Sequence, residues 1–261
     1  MKLTFLGTGT SFGVPQIGCD CAVCRSTDPR DKRTRVGALV EDGGTAVLID
    51  TPTELRLQLV SCDVRRVDAV LFTHDHADHT HGLDDIRVLS EKRGGPLPVY
   101  GPAETLRSLA LKFPYIFDPA IRPLPGTTKP EGMARALEAG RATRIGPFDV
   151  IPFVVPHGPT TVFGYRIGPL GYVTDAKQLP DEACEILTRD GGVQVLVLNA
   201  LLRHEHPTHL SLDQAVATAR RIGAARTYLT HLTHESSHAA LEAELPPGVH
   251  PAFDGLQVSV T

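Results

Sequence analysis

The sequence predicts an α/β fold on three observations. Short apolar runs that end in polar residues recur along the chain. Helix signals stand between them. No linker, repeat or low-complexity stretch divides the 261 residues. Strands and helices mixed throughout favour one α/β unit, so 1–261 is read as a single domain. A chain of this length can bury a substantial core without disulfide staples.

Each element follows from local pattern. KLTFLGTGTSFG opens the chain as a strand running into a Gly-rich loop. Residues 45–50 (TAVLID) and 67–72 (VDAVLF) are apolar runs of the length of buried strands. Between them TPTELRLQLV reads as a helix, with Thr53 as N-cap and Leu55 and Leu59 one turn apart. Residues 83–92 and 103–113 read as further helices, and the Pro- and Gly-rich stretch 114–148 reads as mostly loop. Strand-like runs return at 149–155, 161–168, 170–174 and 193–199. Ser211-Leu212-Asp213-Gln214 is a capping box that opens a helix with Ala215, Ala219 and Ile222 on one face. Gly223 is placed to end it. A strand over 226–230 then delivers His231, and 256–260 reads as the last strand.

Composition bounds the function. The chain is 41% hydrophobic and 21% charged, which excludes disordered and collagen-like classes. A net charge of -4 supplies no global basic field for nucleic acid, although a local patch stays open. The N-terminus lacks the apolar stretch of a signal peptide, and no run approaches the roughly 20 apolar residues of a membrane span. The expectation is a cytoplasmic protein with no membrane partner. Five Cys is an odd count, and three of them fall within six positions, which points to metal rather than a disulfide framework. Cys62 and Cys184 stand alone in apolar surroundings and read as core or near-surface thiols.

The chemistry concentrates in Thr73-His74-Asp75-His76-Ala77-Asp78-His79, directly after an apolar strand. Four ligand-type side chains within six residues, fixed to a rigid strand end, suit zinc, manganese or iron(II). HDHADH resembles the H-x-H-x-D-H motif of the metallo-β-lactamase superfamily. That resemblance implies an αββα sandwich, with two mixed sheets face to face and helices outside. It also implies further roles. Asp50 would orient the ligand loop. His74, His76 and His157 would hold one metal. Asp78, His79 and His231 would hold the other. Asp175, in GYVTDA, would bridge the two, and water or hydroxide would form the remaining bridge.

Cys19-Asp20-Cys21-Ala22-Val23-Cys24 places three thiols where a tetrahedral zinc needs one more ligand. GTGTSFGVPQIGCDCAVC resembles the N-terminus of phosphoribosyl cyclic phosphate phosphodiesterases. In that branch the cysteines hold a structural zinc completed by a His three residues after the second-site ligand, here His234. His238 competes for that role. The same resemblance implies that a His just before a helix, 22 residues ahead of the second-site His, protonates the leaving oxygen. His209 stands 22 residues before His231. An imidazole has the right unperturbed pKa for that task. His204 and His206 read as loop residues near the mouth of the site. The His81, Asp84, Arg87 pattern after the metal motif resembles a broader bacterial set, and Arg87 could meet a phosphate or pair with a carboxylate.

The expected function is a binuclear metal-dependent hydrolase acting on a small, cyclic phosphodiester through a metal-bridging hydroxide. It would carry two catalytic divalent metals (manganese or zinc, with iron accepted by the same ligands) and one structural zinc. A homodimer is common in the resembling branch. The alternatives are a tRNA 3′-processing nuclease, disfavoured by the lack of a long basic or Gly-rich arm, and a thioester or lactone hydrolase. A non-catalytic carrier of the pyrroloquinoline quinone biosynthesis type is also kept. Its discriminator is whether the second ligand set is complete.

Overall fold

Two seven-stranded sheets carry the chain, and a computed structural model describes residues 1–261. In chain order the strands are β1 (Lys2–Gly7), β2 (Gly37–Asp42), β3 (Thr45–Ile49), β4 (Ala69–Leu71), β5 (Leu97–Gly101), β6 (Gly132–Ala136), β7 (Thr143–Ile145), β8 (Phe148–His157), β9 (Thr160–Ile167), β10 (Leu170–Val173), β11 (Val195–Asn199), β12 (Arg226–Thr230), β13 (Val249–Pro251) and β14 (Gln257–Ser259). The helices are α1 (Leu55–Ser61), α2 (Ala77–Thr80), α3 (Arg87–Arg93), α4 (Ala103–Lys112), α5 (Pro114–Phe117), α6 (Asp181–Thr188), α7 (Leu212–Ile222) and α8 (His238–Glu244). One sheet runs β14-β1-β2-β3-β4-β5-β6 and the other β13-β12-β11-β10-β9-β8-β7. Both are mixed: β3 to β6 are parallel, as are β10 to β13.

Alternation along the buried strands builds the layers. In β11, Val195 and Val197 enter a core between the sheets that also holds Leu3, Phe5, Val40 and Tyr165. Leu196 and Leu198 enter a second core with Ala183, Leu187, Ala215 and Ile222 of α6 and α7. Leu39, Leu48, Val70 and Val99 of the first sheet meet Leu55, Leu59, Leu89 and Leu106 of α1, α3 and α4 in a third. The result is an α/β sandwich of four layers, αββα, in which strands buried on both faces need no polar alternation. No helix is long and apolar enough to cross a membrane.

The helix α7 forms as its ends prescribe. Ser211 accepts from Gln214 N, Gln214 reaches back to Ser211 N, and Gly223 closes the helix in the left-handed region at φ 71°. One reading needs correction. Thr53 does not cap α1. The helix starts after Glu54 with no side-chain cap, because Pro52 O already accepts from Leu55 N in a preceding turn. The stretch 114–148 is mostly loop, as its Pro and Gly content predicts, with the short elements α5, β6 and β7 set into it. β6 is an edge strand with four exposed residues, so its sequence GMARA shows no apolar alternation.

Candidate active site

The candidate site lies where strand ends of both sheets meet. In the first sheet β3 runs into Asp50 and β4 into Phe72, Thr73 and His74. In the second sheet β8 ends on His157, β10 leads to Asp175 and β12 to His231. Asp50, Asp175 and His231 are left-handed at φ 61°, 54° and 58°, a region that Asp and His tolerate better than branched residues.

Asp175 is the hub. Its Oδ2 faces His74 Nε2 at 4.0 Å and His157 Nε2 at 3.8 Å. Its Oδ1 faces His79 Nε2 at 3.4 Å and His231 Nε2 at 3.5 Å. Asp78 Oδ2 lies 3.6 Å from His79 Nε2. His74, His76, His157 and Asp175 thus form one group of ligand atoms, and Asp78, His79 and His231 another. His76 is the exposed member.

Hydrogen bonds behind the rings set which nitrogen faces inward. Asp50 accepts from Thr73 N, Thr73 Oγ1 and His79 Nδ1, each at 2.8 Å. With its proton given to Asp50, the Thr73 hydroxyl oxygen accepts from His74 Nδ1 at 3.0 Å. The carbonyl of Thr208 accepts from His157 Nδ1 at 3.1 Å. Each ring therefore keeps its Nε2 lone pair for the centre, the tautomer a metal ligand needs. The Nε2 atoms of His74, His79 and His231 are buried and have no hydrogen-bond partner. Unpaired buried nitrogens are costly, and a divalent cation satisfies them. Ligands about 2.1 Å from a tetrahedral metal stand about 3.4 Å apart, close to the spacing found here. The donor set fits two divalent metals.

Burial opposes the charge of His79, but Asp175, Asp78 and Asp50 outweigh it and hold the ring well above the ordinary histidine value, a positive charge that a metal would replace. Burial pushes His231 down to about 4 in spite of the Asp175 carboxylate beside it. Burial opposes the charge of Asp175, but His231 and His79 outweigh it and hold the carboxyl well below the usual carboxylate range. Asp50 is pushed up by burial in spite of the donors it accepts.

The cysteines form a separate cluster. Sγ of Cys19, Cys21 and Cys24 lie 3.2, 3.5 and 3.5 Å from His234 Nδ1. Zinc bonds of about 2.3 Å to sulfur and about 2.0–2.1 Å to nitrogen set tetrahedral S···N edges near 3.5 Å. The backbone N–H of Cys24 pulls the Cys21 thiol down to about 6, while burial pushes Cys24 up to about 11. His238 lies elsewhere, with its ring edge-on to Phe253 and its backbone N–H on Asp31.

His209 joins the first cluster. Its Nε2 is 3.2 Å from Asp175 Oδ2, and its ring stacks on His231 at 5.0 Å and meets His157 edge-on at 4.7 Å. Arg87 pairs with Asp84 at 2.9 and 3.0 Å, which answers the question its sequence pattern left open, and Tyr115 donates to the same carboxylate. His81 packs edge-on against Phe113 and His204 is exposed.

Several supporting residues escaped the sequence. Asn199 clamps the backbone after Asp175, accepting from Ala176 N at 2.9 Å and donating to Ala176 O at 3.1 Å. Tyr165 donates to Phe72 O, just before the ligand loop. Buried Arg33 donates to Thr233 O and Ser236 O, fixing the segment around His234. Asn at the end of the apolar run VLVLN was the only available signal among these.

The comparisons with known proteins converge on this geometry. The beta-lactamase superfamily domain family matches residues 45–232. An octanoyltransferase of Porphyromonas gingivalis is 37% identical over 266 residues, which cover 100% of this chain and 52% of that protein, so the chain spans about half the length of this relative. A ribonuclease Z of Methanopyrus kandleri is 30% identical over 307 positions, covering 100% of this chain and 98% of that one. The crystal structure of a diphosphatase from the PhnP family superposes with a TM-score of 0.90 at 40% identity, covering 100% of this chain and 98% of the other. With the superfamily matched over the segment that holds the histidine motif, Asp175 and His231, the chain belongs to the metallo-β-lactamase superfamily, in its PhnP-like branch.

Proposed function

We propose that this chain, acting as one catalytic unit, is a binuclear metal-dependent phosphodiesterase that hydrolyses a small phosphodiester of the cyclic ribose phosphate class. One observation carries the reading: a single carboxylate, Asp175, faces two imidazole sets with its two oxygens, and His209 reaches the same carboxylate. In this reading His74, His76 and His157 hold one metal, Asp78, His79 and His231 the other, and Asp175 both. Cys19, Cys21, Cys24 and His234 hold a structural zinc. The two metals, zinc or manganese by the chemistry of the donors, supply Lewis acidity at phosphorus and lower the pKa of the attacking water.

The protein's own residues do the rest. Asp50 and Thr73 hold the ligand rings in the required tautomer, so no reorientation is needed on binding. His209 is fixed between two rings and gives the proton at Nε2 to the leaving oxygen. A second reading, hydrolysis of a diphosphate linkage, is favoured by the 40% identity to a diphosphatase; it uses the same groups on a phosphoanhydride.

The test is a screen of metal-reconstituted protein against cyclic phosphates, diphosphate esters, linear diesters, thioesters and tRNA precursors. It is coupled to His209→Ala. Proton donation is worth about 10²–10⁴-fold, so the variant should lose that much on an alkoxide leaving group and clearly less on a nitrophenolate. Equal losses on both would remove the general-acid role. No hydrolysis of any phosphate ester or anhydride would refute the function.

A further inference from the structure

The loop His206-Pro207-Thr208-His209 contains a pair of imidazoles whose Nδ1 atoms lie 3.1 Å apart, with ring centroids at 5.0 Å and planes tilted by 57°. Two nitrogens at that distance form a hydrogen bond only if one carries the proton and the other does not. Backbone geometry decides which. The N–H of Thr208 donates to His206 Nδ1 at 3.3 Å, and a backbone amide can only donate. A proton on His206 Nδ1 would set two N–H groups against each other, so that atom presents a lone pair. The proton of the Nδ1–Nδ1 contact therefore belongs to His209. The Thr208 hydroxyl, 3.2 Å from His206 Nδ1 and 3.0 Å from His209 Nδ1, can rotate to suit either ring and imposes nothing.

We infer that His206 is a positioning residue that accepts the Nδ1–H of His209, locking that ring so that only Nε2 exchanges a proton at the site. The catalytic consequence rests on the phosphodiesterase reading given above. When the leaving oxygen departs, the Nε2–H bond of His209 breaks and an O–H bond forms. The bonding pair stays on Nε2, and the ring is left as the Nδ1–H tautomer that His206 already accepts. Without an acceptor behind it, the ring can rotate or hold its proton at the wrong nitrogen. Burial, together with nearby His209, Lys177 and His204, holds His206 below the ordinary histidine value, which suits a neutral acceptor. Pro207 restricts the loop between the two rings, and Thr208 O, from the same loop, orients His157. One short segment thus places both a proton donor and a metal-facing ring.

The inference can be tested on resting protein, independently of turnover. In histidine-labelled, zinc-loaded protein, ¹⁵N spectra should show His206 unprotonated at Nδ1 and His209 protonated at Nδ1, with a scalar coupling across the N–H···N bond. His206→Asn keeps an acceptor oxygen near the position of Nδ1, whereas His206→Leu removes it. The Leu variant should lose about 10–100-fold in kcat on an alkoxide-leaving diester, with KM and metal content unchanged, and the Asn variant should recover most of it. His209 bare at Nδ1, an absent coupling, or equal activity in the Leu and Asn variants would overturn the pairing. If no phosphate ester is hydrolysed, the functional reading fails and the spectra still decide the pairing.

Discussion

Replacing Asp50 by Asn tests how the ligand loop is held. Asp50 is fully buried and accepts three hydrogen bonds of 2.8 Å, from Thr73 N, Thr73 Oγ1 and His79 Nδ1. Asn has the same shape but only one acceptor atom. If its oxygen faces Thr73 N, its amide donates toward His79, and the imidazole must move its proton to Nε2, where a metal should bind. If its oxygen faces His79, its amide meets the Thr73 N–H, and a buried donor is left unsatisfied at a cost of about 1–3 kcal/mol. The metal-free variant can take the first arrangement, because the Thr73 hydroxyl rotates and the His79 proton moves. Metal binding forces the second. The switching cost therefore falls on metal affinity, at about 10–100-fold, in line with the usual effect of removing a ligand's outer partner. Unfolding of the metal-free protein should change little, because the substitution also removes a buried charge. Chelator competition measures the affinities, and denaturant unfolding of metal-free protein measures the fold. Wild-type affinity for both metals in a folded Asp50→Asn protein would refute the argument.

Two further outcomes are expected. Cys21→Ser should lose one metal per chain by elemental analysis and melt several degrees lower, since each kcal/mol is worth about 2–4 °C in a chain of this size; chemistry on any accepted substrate should suffer less, and a variant with full metal content and normal melting would exclude the structural zinc. Burial holds Asp254 up at about 6 despite four hydrogen bonds from Thr8 and Thr34, so the folded chain keeps this proton more tightly than the unfolded one; its contribution to stability is full below about pH 4 and lost as pH rises through about 6, at most about 3 kcal/mol, and an identical stability slope over that range in Asp254→Asn would show that Asp254 does not titrate there.

Legibility in the sequence followed chain distance. The histidine motif could be read because four of its members share one loop, and the cysteines because three share another. Arg33 could not be read: it donates to the carbonyl of Thr233, 200 positions along, and a basic residue in a polar stretch gives no sign that it will be fully buried. Tyr165 looked like an ordinary strand residue until its hydroxyl met the carbonyl of Phe72. Among the elements, the long buried strands and the capped α7 carried strong local signals. Most of the missed ones were short, lay at an edge as β6 and β13 do, or were flanked by proline as β5 and α6 are; β2, an interior strand of six residues, is the exception. Their stability comes from neighbours rather than from their own pattern.

The arrangement of the site explains why its residues sit at strand ends. Two sheets packed face to face cannot both aim the alternating side chains of their strands at one point beyond their edges. A chain that turns sharply at the last residue of a strand can. Asp50, Asp175 and His231 make that turn in the left-handed region, and they are three of the five non-glycine residues with positive φ. Such backbone costs of order 1–3 kcal/mol at each position. Glycine would relieve it but has no side chain to face the centre or to orient a ring that does, so the conformation must be held by other bonds. At Asp50 these are the three hydrogen bonds from Thr73 and His79. After Asp175 it is the pair from Asn199. Next to His231, Leu232 N donates to Thr8 O at 2.8 Å, tying the turn to the loop that follows β1. Rigid partners at all three turns hold these side chains in place independently of any metal, which is what the proposed sharing of one carboxylate by two cations requires.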